Sequence, residues 1–84
     1  MSKAAAASLY ELGPDREVKV TLDGDLLFVE GFNQPRLPLV PLSETTFTST
    51  ATSDGFEFVK DAQGTVTQLV RLDGTFQQKA TRKR

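Results

Sequence analysis

Residues 17–29 read Glu17-Val18-Lys19-Val20-Thr21-Leu22-Asp23-Gly24-Asp25-Leu26-Leu27-Phe28-Val29, and this stretch decides the fold class. Residues 17–22 alternate polar and apolar with a period of two, as a half-buried strand does. Asp23-Gly24 is a hairpin signal, because glycine takes positive φ without a steric cost. Leu26 to Phe32 then reads as the return strand. With a two-residue type I′ turn at Asp23-Gly24, Leu22 faces Asp25, Val20 faces Leu27 and Val18 faces Val29. That pairing puts Val18, Val20, Leu27 and Val29 on one face. The opposite face of the return strand, with Leu26, Phe28 and Phe32, is apolar too. A strand apolar on both faces is covered on both. A single small sheet covers one, so the second face calls for a partner.

Working outward, strand signals continue to the end. Residues 35–42 hold Pro35, Pro38 and Pro41. Proline has no N–H to donate, so this segment reads as an edge strand or an extended connection, with Leu37, Leu39 and Leu42 able to point inward. Thr45 to Thr52 is threonine-rich around Phe47 and suits a strand. Ser53-Asp54-Gly55 is a turn. Phe56 to Lys60 follows, with Phe56 and Phe58 on one face. Asp61-Ala62-Gln63-Gly64 has the pattern of a type I turn. Thr65 to Leu72 comes next, with Val66, Val70 and Leu72 assigned to one face. Asp73-Gly74 turns the chain into Thr75 to Thr81. Ser8 to Leu12 can add an eighth strand. No segment of ten residues has helical periodicity. The expected fold is all-β: an antiparallel meander of about seven or eight short strands curled into a small barrel or half-barrel. Val20-Thr21-Leu22-Asp23-Gly24 echoes Val70-Arg71-Leu72-Asp73-Gly74 at four of five positions. A duplicated unit and two independently similar turns both account for that.

The 84 residues allow one small domain with a modest core. We assign residues 8–82 to it, residues 1–7 to a disordered or vector-derived N-terminus, and residues 83–84 to the end of a basic tail. Net charge is −1, divided unevenly. Lys79, Arg82, Lys83 and Arg84 give the last six residues +4, and the remainder carries −5 from 6 basic and 11 acidic residues. The basic run is short and has no interleaved aromatics, so it reads as a solvated terminus, and nucleic acid is not an expected partner. No apolar run reaches the roughly 20 residues of a membrane helix, and MSKAAAASLY is too short and weakly apolar for a signal peptide. Neither feature indicates a compartment or a membrane partner.

Cysteine, histidine and tryptophan are absent. That removes disulfides, Cys/His zinc sites and any Ser-His-Asp triad. None of Ser2, Ser8, Ser43, Ser49 and Ser53 sits in G-x-S-x-G or begins S-x-x-K, and no phosphate-cradling glycine motif is present. Asp23 and Asp25 flank Gly24, and Asp54 and Glu57 lie near another turn, whereas a carboxylate pair that does general acid–base work needs a cleft. No metal, cofactor or catalytic residue is expected.

"LPLVPLSETTF" (37–47), "FEFVKDAQGTVTQLV" (56–70) and "ATRKR" (80–84) together resemble the small β domain often found at the C-terminus of β-lactamase-related serine hydrolases. The matching positions are Leu39, Pro41, Leu42, Phe47, Phe58, Asp61, Gly64, Val66, Ala80 and Arg82. The resemblance spans roughly residues 9–84. Tyr10 alone stands where that family carries a glycine-plus-tyrosine strand. It implies a lipocalin-like antiparallel barrel and a non-enzymatic accessory role beside a hydrolase domain. Two readings follow. The first is an interaction domain that forms a homodimer or covers a parent hydrolase domain, through Leu26, Leu27, Phe28, Val29, Leu37 and Leu39. The second is a reduced lipocalin-like module holding an apolar ligand among Phe28, Phe47 and Phe58.

Overall fold

Eight antiparallel strands close into a barrel in simple chain order. The computed structural model describes residues 3–31, 34–49 and 54–83. A four-residue helix α1 (Lys3–Ala6) leads into β1 (Ser8–Gly13), β2 (Arg16–Asp23), β3 (Leu26–Gly31) and β4 (Gln34–Pro41). The short β5 (Thr46–Thr48) is followed by β6 (Gly55–Lys60), β7 (Val66–Asp73) and β8 (Phe76–Arg82). The barrel closes where β8 meets β1, with Tyr10 opposite Arg82 and Glu11 opposite Thr81. Lys83 adds a bond from its N–H to the Leu9 carbonyl at 2.8 Å. Closure removes the free sheet edges that an open meander would present.

The first hairpin has a two-residue loop, but one residue later than the sequence suggests. Asp23 pairs with Leu26 and Val20 with Val29, so the loop is Gly24-Asp25. Gly24 has φ of 64°, and Asp25 has no positive φ. Glycine at the first loop position marks a type II′ turn, not type I′. The pairing moves by two, so Val18, Val20, Leu27 and Val29 still share a face. All four are buried.

Strand β7 departs from its expected face assignment. Val59 pairs with Gln68 but Lys60 with Val66, which leaves Thr67 as an extra residue in a β-bulge. The bulge reverses the alternation. Val66 and Leu69 point inward at 0% exposure, Leu69 opposite the buried Phe58 and Ala80. Val70 and Leu72 take the outer phase, against the expectation that they share the face of Val66. The echo between the two Asp-Gly segments is therefore one of turn chemistry. Leu72 pairs with Gln77 and Asp73 with Phe76, the same loop as the first hairpin. However, Val20 faces inward and Val70 outward.

The prolines leave β4 a strand with little pairing on one side. It pairs with β3 at Leu27–Leu39, Phe28–Pro38 and Val29–Leu37, and with β5 only at Val40–Thr48 and Pro41–Phe47. Leu37 and Leu39 enter the core, whereas Leu42 stays outside at 68% exposure. Asp61 makes the expected turn: its carboxylate accepts from the N–H groups of Gln63 and Thr65, both at 2.9 Å. Thr50 to Ser53, expected as the end of a strand and a turn, and Phe32 lie outside the described residues.

The interior holds Tyr10, Val18, Val20, Leu27, Val29, Leu37, Leu39, Phe47, Phe56, Phe58, Val66, Leu69 and Ala80. Residues 3–7, set apart from the domain above, pack onto it through Ala6. Ala6 is fully buried in it, and the Ala6 carbonyl accepts from the Tyr10 hydroxyl at 2.7 Å. The Lys3 ammonium donates to the Asp25 carbonyl, which ties α1 to the tip of the β2–β3 hairpin.

Candidate functional site

The barrel interior is filled by side chains. Phe47 and Phe58 meet edge to face with centroids 5.5 Å apart, and Tyr10 lies 6.3 Å from Phe58. Aromatic pairs favour this geometry, and a core layer built this way leaves its volume occupied. Phe28 is not part of that group. It faces out from β3, half-buried, with the Arg36 guanidinium 3.8 Å above its ring. The three phenylalanines named as a ligand site thus divide into a packed interior pair and one residue on the outer wall.

The residues named as an interface divide in the same way. Leu27, Val29, Leu37 and Leu39 are at most 4% exposed inside the barrel and present nothing to a partner. Leu26 and Phe28 lie on the outer face. Around them the structure gathers Pro38, opposite Phe28, and Val40, opposite Thr48. Leu26, Val40 and Leu42 are 37%, 37% and 68% exposed. This outer β3–β4 patch holds three of the exposed large apolar side chains among the described residues, Leu26, Val40 and Leu42. Its rim carries both signs of charge: Arg36 on the ring of Phe28, Lys19 opposite Glu30, and Asp23 opposite Leu26.

The two barrel ends differ in chemistry. One is closed by polar groups. Arg71 points inward opposite the buried Phe56 and donates to Asp54 Oδ2 from Nε at 3.0 Å and from Nη2 at 2.8 Å. Its Nη1 reaches Gln78 Oε1 at 2.8 Å. This is a charge-assisted pair largely out of water, with the fork geometry that arginine provides. At the other end sit α1, the hydroxyl of Tyr10 and the guanidinium of Arg82. Burial pushes the Tyr10 phenol up to about 12 despite the nearby Arg82 charge, which acts in the opposite sense. Arg82 Nη1 donates to the carbonyls of Val66 at 3.0 Å and Ala5 at 3.2 Å. Its Nε is buried and has no acceptor among the described residues.

Beside Arg82 runs a groove of about 590 Å³ lined by Ala4, Ala7, Leu9, Lys19, Leu22 and Arg82, among others. Sequence reading assigned Arg82 to the basic end of the chain and missed this role. The available signal was weak: Arg82 shares the two-residue phase of Ala80 and so lies on the inward side of β8. Among the described residues no three potential metal-ligating side chains cluster, and no helix is long and apolar enough to cross a membrane. No family model, curated protein or solved structure matches the chain.

Proposed function

We propose that this chain is a non-enzymatic interaction domain that self-associates through the outer β3–β4 face. The observation that supports this reading most directly is the exposed set Leu26, Val40 and Leu42 beside Phe28, on the outside of a barrel whose interior is already full. Scattered exposed apolar residues are ordinary, whereas a contiguous group rimmed by polar residues marks a contact surface. A second copy suits the patch because its rim is mixed in sign. In a two-fold arrangement Arg36 of one copy faces Glu30 or Asp23 of the other, and the same contact recurs by symmetry. An accessory role beside a serine hydrolase, implied by the resemblance above, is part of this proposal: the same face would seat on such a domain.

The test is solution mass by light scattering on a sizing column over a broad concentration range. The expected value at high concentration is twice the chain mass of 9.2 kDa. Leu26→Asp and Val40→Asp should return it to the single-chain mass with the β-sheet circular dichroism unchanged. These residues point outward, so the test does not disturb the core, as Leu27→Asp would. A single-chain mass at every concentration overturns self-association.

A further inference from the structure

We propose that the groove between α1 and strands β1–β2 binds a small anionic amphiphile, with its apolar chain against Leu9 and Leu22 and its anionic head at Arg82 and Lys19. The groove volume of about 590 Å³ falls within the roughly 300–1,000 Å³ usual for small-molecule sites. Its lining is mostly apolar, with Ala4, Ala7, Leu9, Val20 and Leu22, and among the described residues it contains two cations and no carboxylate. Neither Lys19 nor Arg82 makes an ion pair among the described residues, whereas Arg71 and Lys83 have acidic partners. Lys19 is exposed, but Arg82 is partly buried, and a partly buried cation without a counter-ion is unfavourable, which an entering anion relieves.

Arg82 supplies the second observation. Its Nη1 is held by the carbonyls of Ala5 and Val66. Its Nε has no acceptor, and its Nη2 makes no hydrogen bond among the described residues. The Nε–Nη2 edge is the one with which a guanidinium takes a carboxylate through two parallel bonds. Nε is covered by protein, so the head group makes its first contact at Nη2 and its second at Nε once the Ala5–Nη1 contact opens. The helix is a single turn, and its contact to Arg82 is the longer of the two carbonyl bonds, at 3.2 Å against 3.0 Å. The ligand class follows: a monoanionic head such as a carboxylate on an unbranched apolar chain. The groove shares Lys19 with the rim of the β3–β4 patch, but none of the exposed apolar residues of that patch lines it, and binding there does not require self-association.

Decanoate, decanol and acetate, titrated separately into the isotope-labelled protein and followed by NMR, test the assignment. Decanoate is expected to bind saturably at one site. It should move the methyl signals of Leu9 and Leu22 and the Nε–H signal of Arg82. Decanol, with the chain but no charge, and acetate, with the charge but no chain, should each bind at least about tenfold more weakly, since each keeps one half of the recognition. Lys19→Gln and Arg82→Gln should each weaken decanoate by about tenfold, because each removes one of two cations facing the head. Lys79→Gln, outside the groove, should not. Lys19 makes no hydrogen bond that the fold relies on, so its variant remains informative if Arg82→Gln fails to fold. Equal binding of decanol and decanoate, a linear unsaturable response, or unchanged affinity in Lys19→Gln would overturn the proposal.

Discussion

At the scale of single residues, Tyr10 makes the chain sensitive to alkali. It is the sole tyrosine, fully buried, and its hydroxyl is committed to the Ala6 carbonyl. Unfolded, it titrates near 10.0, and in the barrel it is pushed up to about 12. Between those values the unfolded chain has lost a proton that the folded chain keeps. The stabilisation is therefore complete below pH 10 and is lost as pH rises towards 12. We expect a fall on the order of 2 kcal/mol across that interval. Urea melts of the parent and of Tyr10→Phe at matched pH check this. The variant starts lower by about 1 kcal/mol for the lost hydrogen bond, but should lack the parent's extra alkaline decline. Asp61 works through its turn. Asp61→Ala removes two bonds to backbone N–H groups and should cost about 1 kcal/mol in thermal or urea melts. Its role was legible in the sequence because Asp-x-x-Gly turn chemistry is local.

At the scale of elements, the N-terminal turn is the part least visible in the sequence. Residues 3–7 have no periodicity to read, only small side chains. Their place depends on the acceptors they offer to Tyr10 and Arg82, which come from β1 and β8. Deleting residues 1–7 should therefore cost about 2 kcal/mol or more, from the two lost acceptors and the exposure of Tyr10. A lowered urea midpoint, with tyrosine fluorescence reporting a solvated ring, would establish it. Gly31 makes the opposite point, that a close approach can single out one glycine. Its φ is 131°, and a Cβ there would lie 3.1 Å from the Val18 Cα and from the Glu17 carbonyl oxygen. Gly31→Ala should destabilise by about 1–3 kcal/mol, through the disfavoured backbone and the crowding against β2. Gly13→Ala, with no positive φ and open space around it, is the control and should be nearly neutral. The bulge at Thr67 is also an element-scale decision. Period-two reading carries a strand's phase through unbroken, so one extra residue reverses the assignment of Val70 and hides Leu69.

At the scale of the whole molecule, closing the barrel creates an inside, and the inside is not uniform. Asp54 was read as a turn carboxylate and Arg71 only as part of the Asp-Gly echo, yet they meet across one end of the barrel at 2.8 Å. Removing one partner leaves the other's charge poorly solvated. Arg71→Met should cost about 3 kcal/mol or more, because truncating one side of a buried pair is much worse than its absence. Asp54→Leu combined with Arg71→Met should recover most of that loss. A double-mutant cycle by chemical denaturation measures both. Closure also redistributed the residues expected at an interface. Leu27, Val29, Leu37 and Leu39 were candidates while the sheet could be flat, and became interior once it curled.

What the sequence determined by itself was local. Alternation across residues 17–29 and turn residues at each corner rest on contacts within a few positions along the chain, whereas the proline-marked segment, read as an edge strand or an extended connection, is paired on both sides once the barrel closes. The local signals suffice for an all-β meander of eight strands. Three things depended on the tertiary structure. The first is which face of β7 turns inward, because a bulge is set by the neighbouring strand. The second is the docking of α1, because its partners are β1 and a residue 77 positions away. The third is the separation of Phe28 from Phe47 and Phe58, because inside and outside exist only after the last strand meets the first. Each is settled by contacts distant in sequence, whose free energy is realised only on closure, and no local pattern encodes them.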